Sequence, residues 1–219
     1  MATVALIRPG CTDYDTQQRL LGALEMPMNK RGMEQVQEAV RQIQREGLRL
    51  EVIYAAPLEP AISTAVAIGR ALDDVKVKEL DELRNVNQGL WQGLPEADVR
   101  RRYPRVFRLG REKPQSICPP EGETLADACR RLTKVINKAI RKHHVFAIVA
   151  SEPMATVIRC TLQQRGTSVD ACLKGEECSA AVECFDTNEF DAGAFVNSDP
   201  ESDASGAASA AITQESPAK

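Results

Sequence analysis

Five short runs of apolar and β-branched residues, at 4–8, 52–56, 75–80, 145–150 and 181–185, alternate with longer stretches whose apolar residues recur at helical spacing. That alternation of apolar or β-branched runs with amphipathic helices argues for a single α/β domain. Such runs suit strands buried on both faces, as in a largely parallel sheet. Between the first two, Asn29 is placed to cap a helix carrying Met33, Val36, Val40 and Ile43, with Gly47 at its end. A second helix is expected over 59–72, with Pro60 tolerated in a first turn whose amides lack intrahelical partners. A long helix over 124–142 shows Leu125, Ala128, Cys129, Leu132, Val135, Ile136 and Ile140 on one face, and another follows over 154–164. One core fits the 219 residues, so a single domain over 1–187 is expected.

From Asn188 onward the composition shifts to Ala, Ser, Asp, Glu, Gly and Pro. Such a segment buries too little surface to offset the entropy of ordering, so 188–219 reads as a disordered acidic tail, a solubilising segment or a tether docking through Phe190 and Phe195. Its six acids against Lys219 give −5, which leaves +2 of the overall −3 for residues 1–187. A body so near neutrality offers no electrostatic reason to expect nucleic acid or an anionic membrane as partner. No apolar run approaches the ~20 residues of a membrane span and no signal sequence opens the chain, which points to the cytoplasm. The seven cysteines, at 11, 118, 129, 160, 172, 178 and 184, form no Cys-x-x-Cys pair, so reduced thiols are expected and neither metal nor cofactor is.

After the first run come Arg8, Pro9, Gly10, Cys11 and Thr12, then Arg19 and Gly22. Further landmarks follow in order: Met26 to Met28, Asn29 to Gly32 and Gln35; Thr64 and Ala65; Leu83, Arg84, Gly89, Trp91 and Gly93; and Pro120 to Thr124. Taken together they resemble the histidine phosphatase (phosphoglycerate mutase-like) superfamily over most of the chain up to about Phe185. The resemblance implies a three-layer α/β/α sandwich with a mostly parallel sheet. It also implies phosphoryl transfer through a phosphohistidine, as in phosphomonoester hydrolysis or a mutase reaction, and an excursion over 95–114 that covers the pocket.

The departures fall on the residues that would do that chemistry. Pro9 stands where the resemblance puts the nucleophilic His, Pro60 where it puts a second phosphate-binding Arg, and Asn85 where it puts the acid/base Glu. The second catalytic His would fall within Ser151, Glu152 and Pro153, most nearly at Ser151. The chain's two histidines, His143 and His144, precede the fourth run and read as a polar turn at the wrong end of a strand, since reactive groups gather at carboxyl ends. A phosphate-binding remnant is left in Arg8, Gly10, Thr12, Arg19 and Arg84, and Arg8 either holds a phosphate or pairs with Glu152. Cys11 lacks the Arg six residues on that a cysteine phosphatase needs, since position 17 is Gln, and Ser151 beside Glu152 lacks a His. The expectation is a catalytically inactive family member with a binding or regulatory role, its partner a phosphorylated small molecule or a protein. The alternative is a phosphatase or mutase working through a non-standard site.

Overall fold

The computed structural model describes residues 2–106, 108, 117–165 and 182–187. Strands β1 (Thr3–Ile7), β2 (Val52–Ala55), β3 (Val77–Glu79), β4 (Val145–Val149) and β5 (Val182–Asp186) form one sheet in the order β3-β2-β4-β1-β5. β1, β2, β3 and β4 are mutually parallel, and only β5, on the edge beside β1, runs antiparallel. All five expected strands are present, shifted at their ends by a residue or two.

The helices are α1 (Asp13–Thr16), α2 (Lys30–Arg45), α3 (Ala61–Ala71), α4 (Glu96–Arg102), α5 (Leu125–Ile140) and α6 (Met154–Leu162). α2 packs on α3 and α5 on α6, one pair on each face of the sheet, which gives the three layers. The central strands are buried throughout, with Leu6, Ile7, Ile53, Phe146 and Ile148 wholly inaccessible. Each such side chain contributes roughly 1.5–3 kcal/mol by leaving water.

Helix α2 departs in one respect from its sequence pattern. Val36 and Ile43 are buried as expected, but Ala39 completes the buried stripe, Val40 is half-buried and Met33 is 57% exposed. The helix is turned so that Gly32 faces the loop after β1, where a Cβ on Gly32 would stand 2.3 Å from the Cys11 carbonyl oxygen. Contact between two backbones thus overrides the side-chain periodicity. Asn29 caps α2 as expected, its Oδ1 accepting from the Gly32 amide at 2.9 Å. Pro60 is the N-cap of α3 and lies just outside it.

Helix α5 buries Leu125, Ala128, Leu132, Val135, Ile136 and Ala139, while Cys129 and Ile140 sit at the margin. In the 95–114 excursion, α4 holds Arg100 to Glu96 and both Arg101 and Arg102 to Asp98, so these arginines decorate a helix surface. Residues 107 and 109–116, and the tail 188–219, lie outside the described residues. Among the described residues, no helix is long and apolar enough to cross a membrane.

Candidate functional site

A cleft of about 490 Å³ opens at the carboxyl ends of β1 and β4, where open α/β sheets place their ligand sites. β1 delivers Arg8, Pro9, Gly10 and Cys11 to it, β4 delivers Ser151 and Glu152, and Pro60 comes from the start of α3. Arg31, Gln35 and Glu38, spaced i, i+4 and i+7 along one face of α2, form the opposite wall with Asp15 and Thr16 of α1.

Backbone contacts hold the β1 loop in place. The Gly10 amide donates to Thr64 Oγ1 at 3.1 Å, the Cys11 amide to Gln35 Oε1 at 2.9 Å, and the Asn29 amide to the Cys11 carbonyl at 3.0 Å. A Cβ on Gly10 would meet the Gly32 carbonyl oxygen and Met28 Sδ at 2.5 Å each. The Gly at position 10 is therefore required by close packing against the head of α2, whatever the cleft binds.

The sequence-derived site residues divide. Arg8 and Gly10 line the cleft together with Pro9, Pro60 and Ser151. Thr12 is buried and caps α1, its amide and hydroxyl both donating to Asp15 Oδ2 at 2.6 and 2.8 Å. Arg19 donates from Nη1 to the Gly93 carbonyl at 2.6 Å and from Nε to Gln17 Oε1 at 2.9 Å. Arg84 is exposed and pairs with Asp81 at 3.0 Å. Thr12, Arg19 and Arg84 are thus engaged in local structure.

Asn85 is nearly buried and its carboxamide is fully used. Nδ2 donates to the carbonyls of Gly22 and Glu152 at 2.8 and 2.7 Å, and Oδ1 accepts from the amides of Val86 and Met154 at 3.0 and 3.1 Å. It therefore clamps the loop after β4 to the segment after β3.

Glu152 carries the main electrostatic feature. Its side chain is only 10% exposed, with Oε1 lying 3.5 Å from Arg8 Nε and 3.8 Å from Arg159 Nη2. These are ion contacts at long range, and Oε1 makes no hydrogen bond. Oε2 accepts from the amide and hydroxyl of Thr156 at 3.0 and 2.8 Å. Arg159 in turn grips Glu183 of β5 through Nε and Nη2 at 2.7 and 2.6 Å. Alternating charges thus run Arg8, Glu152, Arg159, Glu183 from the cleft to the sheet edge. Burial pushes the Glu152 carboxyl above the ordinary carboxylate range, against the opposing pull of Arg8, the Thr156 bonds and Arg159.

Sequence reasoning placed Glu152 within reach of Arg8 but missed Arg31, Glu38 and Asp15 as cleft walls and Glu183 as the terminus of the chain of charges. The helical spacing of 31, 35 and 38 is the signal that could have grouped the first wall. The formal charges of Arg8 and Arg31 are outnumbered by those of Asp15, Glu38 and Glu152. Among the described residues, Arg31 has no carboxylate at ion-pair distance, whereas Glu38 is paired with Arg41 and Arg45.

Both histidines lie at the far end of β4. His143 Nδ1 is 3.0 Å from Glu51 Oε2, and the His144 amide donates to Glu51 Oε1 at 2.8 Å. Five residues of strand separate them from the cleft, a distance of about 16 Å. Cys11 Sγ donates to Asn29 Oδ1 at 3.3 Å, and burial pushes its thiol pKa up, with the Asp15 charge acting in the same direction. That is the reverse of what a reactive thiolate needs.

Comparison with known proteins agrees with this architecture. The chain aligns with phosphoserine phosphatase 1 of Hydrogenobacter thermophilus at 29% identity over 144 residues, 66% of each protein. It aligns with the bifunctional protein Rv2228c of Mycobacterium tuberculosis at 35% identity over 161 residues, which is 72% of this chain but 43% of that one. The fold matches the mycobacterial glucosyl-3-phosphoglycerate phosphatase Rv2419c in complex with VO3, with TM-score 0.70 at 22% identity over 82% of this chain and 89% of the other. A putative alpha-ribazole-5'-P phosphatase from Escherichia coli gives 0.63 at 21% identity, covering 75% and 81%. Residues 4–196 match the profile of the histidine phosphatase superfamily, branch 1, and the chain belongs to that superfamily.

Proposed function

We propose that this chain keeps the superfamily's fold as a binding scaffold and does not carry out phosphohistidine chemistry. The observation that carries this reading is the position of Pro9. It lies on the cleft wall directly after β1 and Arg8, where the resemblance calls for an imidazole. A phosphoryl acceptor needs a nucleophilic lone pair aimed at phosphorus, which neutral imidazole supplies. The prolyl nitrogen is an amide with neither lone pair nor proton to offer.

The neighbouring substitutions act in the same direction. Pro60 brings no cation, Ser151 no imidazole, and the Asn85 carboxamide is occupied by four backbone groups. Loss of a single electrostatic donor typically slows a reaction about 100- to 1000-fold, and here the nucleophile is replaced as well. Three of the similar proteins are named as phosphatases, which supports a shared fold and an ancestral chemistry for this cleft. What the cleft retains is Arg8, held by Glu152, and Arg31, a pair suited to weak binding of a small anion such as a phosphorylated metabolite.

The deciding experiment is hydrolysis of p-nitrophenyl phosphate from about pH 5 to pH 9, run beside Arg8→Ala to exclude a contaminant. No turnover above buffer is expected in either chain. Turnover that disappears in Arg8→Ala would overturn the reading and send the search for a nucleophile to Cys11 and Ser151.

A further inference from the structure

A second surface, remote from the cleft, brings four lysines together from two elements of the fold. Lys78 lies on the edge strand β3 and Lys76 directly precedes that strand, its carbonyl accepting from the Ile53 amide at 3.0 Å. Lys78 reaches over Tyr54, its Nζ 5.7 Å from the ring centroid. Lys138 and Lys142 come one helical turn apart from the end of α5 and the turn that follows it. From 128 to 151 the sequence holds six Lys or Arg and no Asp or Glu. Lys76, Lys138 and Lys142 are exposed.

Tyr54 joins the two sets: its ring lies 5.7 Å from Lys78 Nζ and 6.0 Å from the ring of His143, the residue after Lys142. Lys142, Lys76 and Lys138 all act, after desolvation, to push the Lys78 ammonium below the ordinary lysine range, and no carboxylate is among the groups that act on it. Among the described residues, none of the four has a carboxylate at ion-pair distance. Cations at the end of α5 complement its dipole, which accounts for Lys138 and Lys142. It does not account for two further lysines brought beside them from another element, where like charges repel. An anion resting on the face would remove that repulsion.

The chain carries a fitting anion. Residues 188–219 hold six carboxylates and one lysine. The Thr187 amide donates to the Ala2 carbonyl, and the antiparallel register sets Asp186 beside Thr3. The chain therefore leaves β5 at the amino end of β1 and β4, the same end from which Lys142 leads into β4. Only β1 separates β5 from β4, and β3 lies four strand spacings from β5, about 19 Å. A random coil of the length of 188–219 has a root-mean-square reach of about 30 Å. Attachment also raises the local concentration to the millimolar range, at which weak ion pairs suffice.

We propose that the acidic segment 188–219 docks on the lysine face of its own molecule, its carboxylates seated against Lys76, Lys78, Lys138 and Lys142. The contact is electrostatic, so salt releases it and exposes the face. The proposal concerns the sheet end opposite the cleft and is independent of whether the cleft turns over phosphate esters.

The test is zero-length carbodiimide cross-linking of the full chain, read by mass spectrometry, on a mixture of isotope-labelled and unlabelled protein. At low salt, cross-links from the four lysines to acids between Glu189 and Glu215 should exceed those from the exposed Lys30, at the head of α2, by about fivefold or more. They should join residues of one isotope label and collapse in about 0.5 M NaCl. A variant with the six tail acids changed to Gln or Asn serves as the blank, since carbodiimide coupling needs a carboxylate. Cross-links spread evenly over all lysines, or found mainly between differently labelled chains, would overturn the proposal. So would capture of a single-stranded oligonucleotide equally tightly by the native chain and the acid-neutralised variant, because the face would then be open to nucleic acid.

Discussion

Glu51 and Glu152 flank opposite ends of β4 and answer to different surroundings. Glu51 is two-fifths exposed and lies against His143 and the amides of His144 and Val145, whose hydrogen bonds, that of His143 foremost, hold its pKa below the ordinary range. Glu152 is nine-tenths buried between two arginines, and burial drives its pKa the other way. At one end a carboxylate is stabilised by donors at the surface; at the other it is held inside by a chain of charges. The difference teaches that the cleft end of the sheet derives its electrostatics from buried pairing, while the histidines belong to the turn that leads into β4, His143 packed against Tyr54 and Phe146.

The largest test of this comparison is removal of the link that ties the buried end together. Arg159→Ala leaves Glu152 and Glu183 without their shared guanidinium, and breaking a buried pair costs about 3–5 kcal/mol. A matching fall in urea-unfolding stability is expected, and a loss under about 1 kcal/mol would mean that the charges are solvated as at a surface. Asn85→Ala comes next: four backbone groups lose their partner, for a loss of roughly 2–3 kcal/mol, read in the same way.

The two glutamates then give opposite pH slopes. A carboxyl whose pKa rises on folding contributes its full stability below the unfolded pKa and loses it as pH rises toward the folded value. Glu152→Gln removes that loss, so its Tm relative to the native chain should climb between about pH 4 and pH 7; a falling difference would show that ion pairing outweighs burial. Glu51 is the reverse case, its contribution present above the unfolded pKa and lost as pH falls through the depressed folded value. Glu51→Gln should lower Tm slightly at neutral pH, with the gap closing in acid, and an unchanged gap would detach the effect from titration.

Much of the fold was legible because apolar runs and capping residues are local signals. Asn29 and the five strands are found where spacing put them. Met33 was misplaced because the rotation of α2 is set by contact between Gly32 and the Cys11 backbone, which periodicity cannot register. The candidate site was legible where it follows a strand, at Arg8 through Gly10 and at Ser151 and Glu152. Arg19 and Arg84 drew attention through sequence position alone, and only three dimensions show their partners, Gly93 and Asp81. Glu183 lies 24 residues from Arg159 in sequence, and no local pattern joins them.

The four bonds of Asn85 also bear on what residue the position can hold. Two of them are donated by Nδ2 to the carbonyls of Gly22 and Glu152, and a carboxylate has no proton to give. A glutamate placed at this position would strand both acceptors and carry a longer side chain into a nearly closed space. The fold therefore holds this position to a carboxamide: a carboxylate here would first lower stability, and only compensating changes made beforehand in the two clamped loops would make room for one.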